Sequence, residues 1–256
     1  MSGVPSDMAR ALACRAWQYR YASELEASER FRALAPRLRL HDVPALIADM
    51  AEESADDELR HAKLCLELIE HLGGPPTPAP AVTASQLAPP GVDGRERVLY
   101  EVVAFSCVTE TLSTALLAEL VARAQDPLCR RTMHEILRDE VKHSRLGWAL
   151  LAQEHARGAR DCVGPHLPQM LRDTLGGDFF GEDVALDPCA SELSGLGVLS
   201  RPDRQRIVRE TLDAVIWPGL ERFGVDTGLG RSFAVGRNEP SLDSNMTSHE
   251  KSFARS

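Results

Sequence analysis

Two eight-residue segments of this chain repeat each other: Asp57-Glu58-Leu59-Arg60-His61-Ala62-Lys63-Leu64 and Asp139-Glu140-Val141-Lys142-His143-Ser144-Arg145-Leu146. Both read Asp-Glu-x-basic-His-small-basic-Leu, and each falls well inside a stretch whose apolar residues recur with helical period. On a helix, a Glu and a His three positions apart stack one turn above the other on a single face, so both can reach one point. That face is also the apolar one: Ile47, Ala51, Ser54, Glu58, His61, Cys65 and Leu68 in the first copy, Met133, Ile136, Glu140, His143, Gly147 and Leu151 in the second. A single Glu-x-x-His is a weak signal, and a solvated helix face is its usual home. Two copies aimed into a core are a strong constraint, because charge placed there must be compensated.

The same periodicity predicts four long helices, at about residues 7–38, 42–72, 94–124 and 127–157. Asp7 is the expected cap of the first, Asp42, ahead of Val43-Pro44, of the second, and Asp126, ahead of Pro127, of the fourth. Short connections pair the first helix with the second and the third with the fourth as antiparallel hairpins. Between the hairpins, residues 73–93 carry Pro75, Pro76, Pro78, Pro80, Pro89 and Pro90. This stretch cannot be helical, and at about 3.3 Å per residue it can run the ~45 Å length of a helix of ~30 residues. The expected fold is therefore an all-α four-helix bundle with one long crossover, spanning residues 7–157. Residues 158–235 are expected to cover one end of it. They read as irregular over 158–200, with a fifth helix at 202–217 that is capped near Ser200 or Asp203 and broken or kinked at Pro218. Residues 236–256 are polar and aperiodic and are expected to be a disordered tail.

A bundle that carries Glu-x-x-His on its second and fourth helices completes a dinuclear metal site with one carboxylate from each of the others. In the third helix Glu110 lies on the stripe Val103, Cys107, Glu110, Thr114, Leu117, Val121. Glu101 and Glu119, nine positions away on either side, are rotated by about 180° and should face water. In the first helix the stripe Ala13, Trp17, Tyr21, Glu24, Ser28, Phe31, Ala35 favours Glu24; Glu26 points away, and Glu29 is the next choice. Glu24 precedes Glu58 by 34 residues and Glu110 precedes Glu140 by 30, intervals that return the chain to one height. Two divalent ions would neutralise four carboxylates, and oxygen-rich ligation with one His per ion suits iron or manganese better than zinc. Glu58 and Glu140 are the expected bridging carboxylates, with Glu24 and Glu110 terminal. Ser106, Cys107 and Thr114, a turn to either side of Glu110, would line an O2-binding pocket or simply fill a tight core. Trp17, Tyr21, Cys65 and Met133 read as packing, and His41 and His134 as solvated.

The remaining composition mainly excludes. A net charge of −9, from 29 Lys+Arg against 38 Asp+Glu and with no basic block, argues against nucleic acid as a partner. The six cysteines include no CxxC pair and read as reduced thiols. No secretory leader is visible and no run of about 18 apolar residues is present, so the expectation is a soluble cytoplasmic protein without a membrane partner, working as a homodimer.

The order Glu, Glu-x-x-His, Glu, Glu-x-x-His over residues 10–157 resembles the ferritin-like, carboxylate-bridged di-iron superfamily. That superfamily includes rubrerythrin, ribonucleotide reductase small subunits, bacterial multicomponent monooxygenases and arylamine N-oxygenases. The Trp17-Gln18-x-Arg20 opening and the late helix before Trp217-Pro218 are similar to bacterial ferritin-like domain proteins. The resemblance implies two Fe ions, with Mn or a mixed Mn/Fe pair as alternatives, and O2 as co-substrate. It further implies that Asp139 bonds His61 and that Asp57 bonds His143, fixing the rings; surface ion pairs with Arg60 or Lys142 are the alternative. The CxxC…CxxC module of rubrerythrin is absent, so electrons would come from a separate donor or from the substrate. Ile136 stands where arylamine N-oxygenases carry a further His, so their activity does not transfer directly. The function expected is an O2-activating di-iron oxidase or oxygenase acting on a small organic molecule. A ferroxidase, peroxide-scavenging or iron-storage protein, and a helical scaffold with structural or no metal, are the alternatives.

Overall fold

A computed structural model describes residues 5–81, 87–175 and 189–236, and the described residues form helices and no strand. The bundle consists of α1 (Asp7–Leu40), α2 (Ala45–His71), α3 (Gly94–Arg123) and α4 (Pro127–Ala156). α1 packs along α2, α2 along α4, and α4 along α3. The connectivity is that of two hairpins and a crossover. Residues 82–86 of the crossover, 176–188 of the extension and all of the expected tail at 236–256 except Gly236, which ends a helix, lie outside the described residues.

Local chemistry sets the helix ends. Ser6, not Asp7, caps α1: its Oγ accepts from the Ala9 N–H at 3.3 Å, and Asp7 serves instead as an acid in the first turn, where the helix dipole favours it. Asp42 caps nothing either. It sits in the left-handed region at φ 55, and α2 begins only after Pro44, whose fixed φ suits the entry to a helix. Asp126 caps α4 as expected, accepting from Leu128 N and Cys129 N at 2.9 Å each, with Pro127 in the first turn.

Two apolar cores fill the bundle. One joins Trp17, Tyr21, Leu68, Leu117, Met133 and Ile136; the other joins Phe31, Leu38, Ile47, Val103, Phe105 and Leu150. Between them lies a layer of charged side chains at the level of the repeated motif. α3 is long and apolar enough, by length and composition, to cross a membrane, and 72% of its most apolar stretch is buried inside the protein.

α3 is not uniform. Val103–Glu110 is π-helical, flanked by α-helical Gly94–Val102 and Thr111–Arg123. A π-helix takes more residues per turn, so the rotation between residues 101 and 110 falls short of the α-helical value. This corrects the expectation for Glu101. It is only 5% exposed and pairs with Arg37 at 2.8 Å and Arg97 at 3.1 Å. Glu119 is half-buried and pairs with Arg123 and Arg206.

The extension departs from a cover over one end. α5 (Leu167–Leu175), α6 (Ala190–Gly195), α7 (201–222) and α8 (Gly228–Gly236) replace the single helix expected. Leu167, Met170 and Leu171 of α5 join the core around Phe31, while Leu193 of α6 joins the core around Trp17. The extension thus straps both halves. Trp17 donates its indole N–H to the Leu196 carbonyl at 3.0 Å, against Gly197, whose φ of 82 is open to glycine. Ser200 caps α7, as expected, and Leu212–Ile216 is π-helical just before Pro218. Pro218 has no N–H for the carbonyl four residues back, and a widened turn accommodates this without breaking the helix.

Asp126→Ala is expected to lower stability by about 1–2 kcal/mol, read as a drop in melting temperature. Burial raises the Asp126 carboxyl, but His71 and the Cys129 N–H outweigh it and hold it below the ordinary range. Its contribution is therefore present at neutral pH and disappears in acid, so mutant and wild type should converge as pH falls through the carboxylate range.

Candidate metal centre

Six side chains from four helices meet in the polar layer. Glu24 of α1, Glu58 and His61 of α2, Glu110 of α3, and Glu140 and His143 of α4 are all between 0 and 4% exposed. They fall into two overlapping groups, Glu24, Glu58, His61, Glu140 and Glu58, Glu110, Glu140, His143, each with its potential ligand atoms within 4.8 Å of one another. Glu58 and Glu140 belong to both groups, the placement that a bridging carboxylate requires. Glu29, the runner-up on α1, pairs with Arg32 near the surface at 2.9 Å.

Both histidines present Nδ1 to the cluster. His61 Nδ1 lies 3.0 Å from Glu58 Oε2 and 3.8 Å from Glu24 Oε2. His143 Nδ1 lies 3.0 Å from Glu58 Oε1 and 3.2 Å from Glu140 Oε2. The ring centroids are 5.8 Å apart. The outer nitrogens face the aspartates of the opposite motif: His61 Nε2 is hydrogen-bonded to Asp139 Oδ2 at 3.4 Å, and His143 Nε2 lies 3.5 Å from Asp57 Oδ2. The same aspartates take the ion pairs weighed as their alternative. Arg60 pairs with Asp57 at 2.7 Å and also with Asp139, and Lys142 reaches Asp57 at 3.0 Å and Asp139 at 2.9 Å. Each aspartate therefore stands between a buried imidazole and a surface cation.

Electrostatics separate the carboxylates into two kinds. Burial, with Glu140 and Glu24 close by, pushes the Glu58 carboxyl up to about 7. Burial and Glu140 likewise push Glu110 well above the ordinary range. Burial would raise Glu24 too, but Arg20, His61 and Glu58 overcome it and hold it low; at Glu140, hydrogen bonds from His143 and Glu110 overcome burial in the same way. Burial lowers His61, yet Glu24 and Glu58 outweigh it and raise the ring to about 10. Without metal the layer thus balances its charge with shared protons, and metal ions would have to displace them.

The turns around Glu110 hold the other residues singled out in the sequence. Thr114 donates its hydroxyl to the Glu110 carbonyl at 2.8 Å. Cys107 and Ser106 are fully buried, and the Ser106 hydroxyl has no hydrogen-bond partner among the described residues. Both face Gly147 of α4, where an added Cβ would lie 2.6 Å from Cys107 Sγ and 2.9 Å from the Cys107 backbone nitrogen. Trp17, Tyr21, Cys65 and Met133 are core residues, His134 is exposed and His41 half-buried. Sequence reasoning noted Arg20 only as part of the Trp17-Gln18-x-Arg20 opening and gave it no role at the site, yet it touches Glu24 and Glu140. Its place one turn before Glu24 was the positional signal.

A helical bundle with a carboxylate–histidine cluster in its core is the hallmark of the ferritin-like di-iron proteins, and the comparisons narrow this class. Residues 18–151, more than half of the chain, match the family described as Rubrerythrin, and the chain belongs to that family. Among solved structures it is similar to a protein of Synechococcus described as protein 19 with aldehyde deformylating oxidase activity. The TM-score is 0.61 at 17% identity, covering 89% of this chain and 97% of that one, which is a likeness of fold. No curated protein matches.

Gly147→Ala is expected to force α4 away from the π-helical segment beside Glu110, at a cost of about 1–3 kcal/mol. Thermal unfolding of the two proteins measures it; an unchanged melting temperature would show that the contact yields freely.

Proposed function

We propose that Glu24, Glu58, His61, Glu110, Glu140 and His143 hold two iron ions, and that the protein uses them with O2 to oxidise a small organic molecule. The observation that carries this reading is the pair of four-residue ligand groups sharing Glu58 and Glu140. The donor set fits iron: oxygen-rich, one imidazole per ion, and four carboxylates for two divalent charges. A manganese or mixed pair would fit the same donors. Bound iron would supply the redox chemistry with O2, which side chains alone do not offer.

The chain's own groups supply geometry and environment. Asp139 and Asp57, behind the rings, would accept hydrogen bonds from the Nε2–H groups and leave Nδ1 free as a ligand. The surrounding apolar cores exclude water and lower the local dielectric, which strengthens the attraction between carboxylates and cations. Cys107 and Thr114, a turn to either side of Glu110, would wall the space where O2 enters, and their fixed contacts would hold Glu110 in place. Residues 158–235 would strap the unit formed by residues 7–157. Electrons would arrive from a separate carrier or from the substrate. The aldehyde deformylating oxidase activity of the Synechococcus protein is a precedent for oxidative chemistry on this fold. Membership of the rubrerythrin family favours, as a second reading, iron oxidation or peroxide removal without an organic substrate.

Anaerobic titration with Fe(II) should saturate at two ions per chain, and admission of O2 should bring O2 uptake and ferric absorption in the near ultraviolet. Glu58→Gln and Glu140→Gln should each reduce iron binding to one ion or fewer. Failure of the wild type to bind iron, or binding of two ions by both variants as by the wild type, would sink the reading. Peroxide turnover with no organic substrate would move the assignment to the second reading.

A further inference from the structure

The centre contains a cation that two divalent ions and four carboxylates do not require. Arg20 donates through Nε to Glu24 Oε1 at 2.7 Å and through an Nη to Glu140 Oε1 at 3.4 Å. The same Nη lies 3.5 Å from Ser113 Oγ, which in turn donates to Glu140 Oε1 at 3.3 Å. Each carboxylate therefore divides its oxygens, turning Oε1 to the guanidinium and Oε2 to a histidine. The Arg20 side chain is 23% exposed against 6% for Glu24 and 2% for Glu140, so it closes the layer from the solvent side.

We propose that Arg20 is a resident counter-ion: it holds Glu24 and Glu140 in the metal-free protein and, by its charge, loosens the grip of the same carboxylates on metal. The proposal rests on the metal-centre reading and deepens it. A guanidinium stays charged at every relevant pH, so it cannot leave the site by losing a proton as the histidines can. In the metal-free layer that permanence is an advantage, because buried carboxylates crowded together repel one another. With ions bound, the balance reverses. The carboxylates already share their charge with metal, and a fixed positive charge within hydrogen-bond reach of two ligands repels the ions through a medium that screens poorly. A residue that merely propped α1 would act differently, since its loss would loosen the ligands and weaken metal binding together with stability. The counter-ion role predicts effects of opposite sign.

The test uses the full chain and Fe(II) under anaerobic conditions, with affinity read by competition against a chromophoric chelator. Arg20→Met, which keeps an apolar stem and removes the charge, should lower the melting temperature of the metal-free protein by at least about 5 °C. It should also bind Fe(II) at least about tenfold more tightly. Arg20→Lys, which restores a charge, should return both values toward wild type. Should Arg20→Met fail to fold, Arg20→Gln carries the same expectation of tighter binding. Unchanged or weaker Fe(II) binding by the uncharged variant, or an unchanged melting temperature without metal, overturns the role of Arg20 while wild-type iron binding leaves the centre standing. A wild type that binds no iron overturns both.

Discussion

Four carboxylates gathered in one buried layer are the constraint to which the rest of the bundle answers. Isolated in an apolar interior, such charges would cost many kcal/mol. The protein compensates in three ways. Glu58 and Glu110 are pushed toward the protonated form, His61 is raised toward the charged form, and Arg20 holds Glu24 and Glu140 from the solvent side. Outside the imidazoles, Asp57 and Asp139 are themselves neutralised by Arg60 and Lys142. Charge therefore alternates outward from the centre, from carboxylate to imidazole to aspartate to surface cation, and no step leaves a buried charge alone.

The fold is arranged around that layer. Apolar side chains pack above and below it as two separate cores, and the helices keep their height because each contributes its charged residues at one level. α3 is the helix that adapts. Its π-helical segment ends at Glu110, and Gly147 lets α4 lie against the widened turns. Pi-helical turns are often found where a side chain must be aimed at a functional site, and here the segment brings Glu101 inward as well, to meet Arg37.

Much of this could be read from residues alone. Helical period, the two proline- and glycine-marked hairpins and the repeated motif were enough for the four-helix order, because each reports a local physical preference. The six clustered side chains followed from stripes on straight α-helices, which held well for α1, α2 and α4. The same reasoning failed at Glu101, since a change from α- to π-helical winding leaves no mark in composition. It failed at Asp7 and Asp42 by one or two residues, where a neighbouring serine or proline competes for the cap. The extension was misread because α5 is only nine residues long and lies among glycines and prolines, where a short apolar pattern is easily lost. Arg20 was given no role at the site because it lies beside the inner stripe of α1, from which a long side chain can reach either solvent or the core.

Because the polar layer cuts the interior in two, it also decides how the helices align. Apolar halves built of alanine, valine and leucine tolerate exchange of one such side chain for another at modest cost, so by themselves they would let α4 slide a turn along α2 and find acceptable packing. A slide of one turn would carry Glu140 and His143 out of the layer and against aliphatic neighbours, leaving charge without a partner on both helices. The layer therefore works as a register key, giving up some stability to exclude every alignment but one, as a single buried polar residue does in a coiled coil.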